Sequence, residues 1–522
     1  MTAQAEPRRD GPVIAERPSP GTPRPYEFPP VRTAHLDNGL TVMIADLPGR
    51  PLVSATVILP VGAADEPPEL AGSTVLMARA LSEGTQRYDA VALTEASERL
   101  GASLHAEAGW DAMSAGVEVP ASRLAPAMDL LAELLLRPTF PASEVERLRD
   151  ERLNDLLQAQ ADPRRRADET YIGTIYAAVS PYHRPSAGTR ETVAGLDREA
   201  LAARHARILD PARATLVVAG DLGETDVLAI AERLFGAWAA ADGAARAVAE
   251  VDASPAGVGR LVRVVHRPGS VQTEIRIGHP GLPRRIPDFH AVSVMSSILG
   301  GLFNSRLNMQ LREAKGYTYG AGAGFDLRRG AGPFTARAAV NTEVTVPAIV
   351  DTLAELERMR TDPVSDAELS AARDFLVGVF PLRFETPGAV AGALAGLAVH
   401  GLPLDELVDY RARIEAVDIA AVTAAARANL HVDDASIVLV GNVDAFGPDL
   451  EAAGLGRIVI DRDDAAPLDG PLPDDEAAAA VAPPDASDDL GPTAGADDLD
   501  LPGTADDPAG ADTDPQEGVT GG

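Results

Sequence analysis

The chain has 522 residues, too many for a single hydrophobic core, and its 45% apolar content suits two or more globular domains. It contains no cysteine, which excludes disulfides, thiolate metal sites and a cysteine nucleophile. A net charge of -32 and an aromatic content of 4% argue against nucleic acid as a partner, since such surfaces need basic stripes and stacking rings.

The chain opens on M-T-A-Q-A-E-P-R-R-D-G-P, with no apolar core and no cleavage signal, and no run of 18 apolar residues follows. Neither a signal peptide nor a membrane span is expected, and the expected compartment is the cytoplasm. Residues 1–25 read as a disordered leader containing Pro and Arg. A first domain is expected over 26–240. It begins with strand-like N-G-L-T-V-M-I from Asn38 and P-L-V-S-A-T-V-I-L from Pro51. Helices follow at Ala71–Leu81, Leu93–Leu100 and Leu124–Leu136, the last closed by Arg137-Pro138. Ser143–Gln160 is a further helix with Ser143 as its expected cap, and its R-L-R-D-E-R run reads as a solvated face. The domain closes on the strand A-T-L-V-V-A-G-D-L from Ala214.

A linker is expected over 241–259 and a second domain over 260–460. P-G-S-V-Q-T-E-I-R-I from Pro268 echoes the strand at Pro51, and A-S-I-V-L-V-G-N-V from Ala435 echoes that at Ala214. Both offsets are about 220 residues, as an internal duplication gives. Strands followed by runs of helix within each half point to an α+β class rather than a parallel α/β sheet. Residues 461–522 hold 18 acidic residues against one arginine, with almost no large apolar side chains. That composition cannot offset its ordering entropy, so an acidic disordered tail is expected, a solubiliser or an interaction arm.

Ordinary catalytic signatures are missing. The nine histidines are scattered, and the closest pair, His279 and His290, lies eleven residues apart, so no helical metal pair exists. There is no G-x-S-x-G elbow, phosphate loop or dinucleotide fingerprint.

Residues Gly72–Thr85 read G-S-T-V-L-M-A-R-A-L-S-E-G-T. This resembles the frame G-x-x-H-x-x-E-H-x-x-x-x-G-T of the insulinase/pitrilysin zinc metallopeptidases. Val75 stands at the first histidine, Ala78 at the glutamate and Arg79 at the second histidine. A zinc site needs imidazole or carboxylate ligands and a water-activating carboxylate, and these three residues supply neither. The family's third ligand closes the pattern E-R-x-R-x-x-x-x-x-E; here Glu146–Asp155 read E-R-L-R-D-E-R-L-N-D. Asp155 holds that ligand position, one methylene shorter. A lone aspartate on a helix is usually a solvated charge, and Asp155 is read so.

The second half carries G-G-L-F-N-S-R-L-N-M-Q-L-R-E-A-K-G-Y-T-Y-G from Gly300, similar to the family segment S-R-L-x-x-x-L-R-E-x-x-G-x-x-Y. The resemblance implies that Arg312 and Tyr319 bind substrate across a chamber. Without it, Arg312 reads as a partner of a nearby carboxylate and Tyr319 as core. The resemblance spans about residues 30 to 460 and implies two homologous α/β-roll domains, mostly antiparallel sheet with helices packed on it, forming half of a clamshell. It further implies a non-catalytic subunit that holds no cofactor, with zinc on a homologous partner bearing His-x-x-Glu-His, and peptides as substrates. Two other readings stay open: a scaffold of the same fold with no proteolytic role, and a peptidase active alone.

Overall fold

The computed structural model describes residues 25–239 and 250–462. The expected leader, apart from Pro25, and the expected tail, apart from Asp461 and Arg462, lie outside the described residues. Among the described residues no helix is long and apolar enough to cross a membrane.

The first half forms a six-stranded sheet from β1 (Val31–His35), β2 (Thr41–Asp46), β3 (Leu52–Leu59), β4 (Ser103–Ala108), β5 (Met113–Pro120) and β6 (Thr215–Gly220), in the order β1-β2-β6-β3-β5-β4. Only β2 and β6 run parallel. The second half repeats the plan with β7 (Leu261–His266), β8 (Gln272–Pro280), β9 (Ala321–Phe325), β10 (Pro333–Asn341), β11 (Ser436–Gly441) and β12 (Arg457–Arg462), in the order β12-β7-β11-β8-β10-β9. Here β7 pairs in parallel with both β11 and β12. The equivalent strands β6 and β11 are buried at every position. Continuous apolar runs of this kind mark strands covered on both faces.

The helices of the first half are α1 (Ser73–Ala80), α2 (Ala90–Leu100), α3 (Leu124–Leu136), α4 (Ala142–Ala161), α5 (Pro163–Ile175), α6 (Arg190–Ala194), α7 (Arg198–Ile208) and α8 (Val227–Phe235). Those of the second include α9 (Phe289–Ser296), α10 (Thr345–Thr361), α11 (Asp366–Val379) and α12 (Pro387–His400). The expected helix at Leu124–Leu136 matches α3 residue for residue. Ser143 is not a cap: α4 starts one residue earlier, after Pro141, and no side chain caps it. Strand β12 runs two residues into the segment expected to be tail.

Each half lends the other a helix. α5 packs on β8 and β11 of the second sheet, and α12 packs on β3 and β6 of the first. Both begin with proline at the first helical position behind a side-chain cap: Asp162 accepts from Arg164 N at 2.7 Å, and Thr386 accepts from Ala389 N at 3.1 Å. α12 is apolar almost all round, as a helix covered over most of its surface must be, with Gly392 the exposed position. It draws Ala45, Ile58, Val217 and Ala219 of the first sheet into the second half's core. The part of the expected linker that is described is docked: Ser254 O accepts from Ala177 N at 2.9 Å and Ala256 N donates to Ile175 O at 2.8 Å.

The loop between β9 and β10 seals the joint. Arg329 pairs with Asp65 at 2.7 Å and with Asp111 at 3.4 Å, both in the first half. Buried Arg328 stacks on Trp110 at 4.6 Å and Tyr182 at 4.7 Å.

Candidate functional site

The site equivalent to the zinc helix starts at Gly72, whose φ of +91° suits glycine. A Cβ there would come within 2.7 Å of Ala187 O, so close backbone approach also requires it. Buried Glu66 takes the place of a cap. It accepts from Gly72 N at 2.8 Å, Thr74 N at 2.6 Å and Ser73 Oγ at 3.3 Å. A carboxylate at a helix N-terminus satisfies orphan N–H groups and meets the positive end of the dipole. Burial raises the Glu66 carboxyl above its ordinary value, against the pull of the Thr74 and Gly72 donors.

Along α1, Val75 is half-buried, Ala78 is buried and Arg79 is 46% exposed at its side chain. Their spacing puts all three on one helical face. Arg79 pairs with Glu151 of α4, one turn before Asp155, at 3.2 Å.

Asp155 is not the solvated charge that the sequence suggests. Its side chain is 30% exposed and accepts two hydrogen bonds from Arg165, at 2.8 and 3.0 Å, and one from Arg152. Burial pushes its carboxyl up, but the hydrogen bonds and positive charge of Arg165 and Arg152 more than offset this and hold it below the ordinary value. The sequence reading missed Arg165 because it lies on the next helix; the Asp162-Pro163 break that folds α5 back onto α4 was the available signal. Nor is the R-L-R-D-E-R run one solvated face, because the Arg152 side chain is only 14% exposed.

The residues present do not fit a zinc ion. Val75 and Ala78 have no donor atom, Arg79 is a cation, and Asp155 is already committed to two guanidinium groups. Among the described residues no group of three or more His, Asp or Glu is placed to hold a metal.

The second-half segment is anchored independently. Arg306 donates to both oxygens of Glu368 on α11, at 2.7 and 3.3 Å. Asn308 donates to Leu302 O at 3.3 Å and accepts from Ala321 N of β9 at 2.9 Å. These ties hold the π-helical turns Asn308–Ala314 that carry Arg312. Arg312 lies over the exposed Phe303 ring at 4.5 Å and has Glu313 at 3.5 Å, so a nearby carboxylate is present as the simpler reading required. Tyr319 is 93% exposed and not core. Its turn is fastened by Thr318 Oγ1, which donates to Gly320 O at 2.8 Å and accepts from Gly320 N at 3.1 Å. Among the described residues no hydrogen bond or ion pair joins Arg312 or Tyr319 to Val75, Ala78, Arg79 or Asp155. Phe303 is a contact that the sequence reading missed; its signal was an aromatic residue inside a Gly-rich turn.

The geometry agrees with the family comparison. Residues 41–185 match the model of the insulinase family, peptidase family M16, and residues 195–376 match that of the peptidase M16 inactive domain. An uncharacterized zinc protease of Mycobacterium tuberculosis is 26% identical over 415 residues, covering 79% of this chain and 93% of the relative. A protein of Helicobacter pylori named as a non-peptidase homolog is 24% identical over 378 residues, covering 71% of this chain and 84% of the relative. The crystal structure of a peptidase M16 inactive domain from Pseudomonas fluorescens superposes with a TM-score of 0.73 at 26% identity, covering 79% of this chain and 98% of that one. A protease of Helicobacter pylori shares the fold, with a TM-score of 0.74 at 18% identity over 80% of this chain and all of that one. The chain belongs to the insulinase (M16) peptidase family, as a member whose zinc motif is lost.

Proposed function

We propose that this chain is the non-catalytic, substrate-binding subunit of a two-subunit zinc peptidase. A homologous partner bearing His-x-x-Glu-His supplies the metal, and this chain supplies Arg312 and Tyr319 to the bound peptide. The observation that carries the reading is an asymmetry between the halves. The zinc positions are filled by residues that cannot ligate, while Arg312 and Tyr319 stand accessible on a firmly anchored segment. A guanidinium and a phenol both donate, and both suit a peptide carbonyl and the oxyanion that grows from it. The name of the Helicobacter pylori relative, a non-peptidase homolog, supports the loss of activity; that of the Mycobacterium tuberculosis relative, an uncharacterized zinc protease, supports the peptidase context. The reading places the pair in the cytoplasm.

Two measurements test it. The chain alone binds no stoichiometric zinc and cleaves no peptide; one zinc per chain, with activity abolished by chelation, refutes this. In the reconstituted pair, Tyr319→Phe lowers turnover by roughly 10²-fold, the loss typical of a removed oxyanion donor, and Arg312→Lys is also costly. Gel filtration shows an intact heterodimer in both cases. Wild-type turnover from both variants in that heterodimer rejects the split site and favours the scaffold reading.

A further inference from the structure

Asp155 lies on α4, and Asp162-Pro163 ends that helix two turns later. The chain doubles back, and Arg165 on α5 grips Asp155 with both terminal nitrogens, at 2.8 and 3.0 Å. Arg152, one turn before Asp155 on α4, takes the same carboxylate and also donates from Nε to Ala187 O at 3.2 Å, in the loop that abuts Gly72. Glu169 on α5 lies in the same charged cluster, where burial raises its carboxyl against the pull of Arg152, Arg165 and Arg166. On the other side, Glu151 accepts from Arg79 of α1 at 3.2 Å and from Arg147 at 2.6 Å, and Arg147 reaches Glu83 just beyond α1 at 2.8 Å.

The geometry points to an ionic clasp, Asp155 with Arg152 and Arg165, that fastens α4 to α5 and shuts metals out of this site, with the exposed Arg79–Glu151 pair only a weak addition toward α1. A ligand carboxylate must offer free lone pairs, and three of the roughly four on Asp155 already accept from guanidinium N–H groups. A dication arriving there would also stand beside two fixed positive charges. The clasp has a further consequence, because α5 lies on the sheet of the other half. The former metal position is thereby fastened to the joint between the halves.

On this reading the loss of the α1 ligands is only part of what keeps zinc out, and restoring them leaves Arg152 and Arg165 in place. The test compares two proteins. The first carries Val75→His, Ala78→Glu, Arg79→His and Asp155→Glu; the second adds Arg152→Gln and Arg165→Gln. After equilibration with micromolar zinc sulfate and desalting, elemental analysis finds less than about a tenth of a zinc per chain in the first and about one in the second, as a closed ligand set gives. One zinc per chain in the first protein, or none in the second, overturns the proposal. A thermal cycle on the natural sequence needs no metal. Asp155→Asn and Arg165→Gln each lower the melting temperature by a few degrees, and the double variant loses no more than the worse single one, as coupled partners require. Additive losses overturn the clasp.

Discussion

Arg79 and Arg329 each hold a carboxylate, and burial separates what each is worth. The Arg79–Glu151 pair is about half exposed on both sides, and pairs of that kind contribute about 0–1 kcal/mol. The Arg329 side chain is 9% exposed and serves Asp65, Asp111 and the Pro60 carbonyl, while its own N–H donates to Asp111 at 2.6 Å. Arg329→Met leaves two carboxylates without their counter-ion inside the joint and is expected to cost about 3–5 kcal/mol, against less than about 1 kcal/mol for Arg79→Ala. Urea denaturation of the two variants checks the contrast, and equal losses would contradict it. The same scale shows what one sequence can disclose. Val75, Ala78 and Arg79 are legible because a helical motif has fixed spacing, and a side chain without a donor atom is silent in any fold. The partner of Asp155 is not legible, since Arg165 reaches it only after the helix break is folded. Tyr319 was ambiguous for a different reason: a tyrosine after a glycine turn suits either core or surface until the turn is built.

At the level of elements, α12 states its burial in its sequence but not its address. P-G-A-V-A-G-A-L-A-G-L-A-V-H has no polar face, so apolar surface must cover most of it. Nothing local says that this surface belongs to the other half's sheet, because the choice is made by long-range contacts with β3 and β6. α5 is the harder case. Its Arg-rich first turns suggest a solvent helix, while Ala167, Tyr171 and Ile175 mark the stripe that lies on the second sheet. The duplication itself was legible, since β6 and β11 keep the same all-buried apolar pattern. Leu394→Ala in α12 is expected to cost about 2–5 kcal/mol, the range for a truncated buried leucine. Because α12 bridges the halves, the loss should appear in one cooperative transition followed at Trp110 and Trp238 of the first half. A fluorescence transition that stays at its original midpoint would show that the first half does not depend on the lent helix.

Across the whole molecule, α5 and α12 each pack on the other half's sheet, and three buried histidines are expected to lower its stability in acid. His279 on β8, His290 on α9 and His400 at the end of α12 are each lowered from the ordinary 6.5 to about 4, first because burial disfavours the imidazolium. For His279 the neutral form is also built in: Nδ1 lies 2.8 Å from Pro280 O and Nε2 accepts from His431 N at 3.0 Å. His400 adds unfavourable charge from Arg284 and Arg329, partly relieved by Asp326, so it titrates at the joint itself. The sign follows from proton counting. Between pH 6.5 and about 4 the unfolded chain binds protons at these sites and the folded chain does not, so stability falls as pH drops through that window. By about pH 5 each such histidine should have cost about 2 kcal/mol relative to about pH 7. Urea denaturation at the two pH values measures the loss, and His400→Gln removes one histidine's share while leaving the carboxylates to titrate as before. If His400→Gln loses as much stability on acidification as the unaltered chain, the His400 imidazole takes up its proton in the folded protein as readily as in the unfolded one, and the joint between the halves is not acid-sensitive through this group.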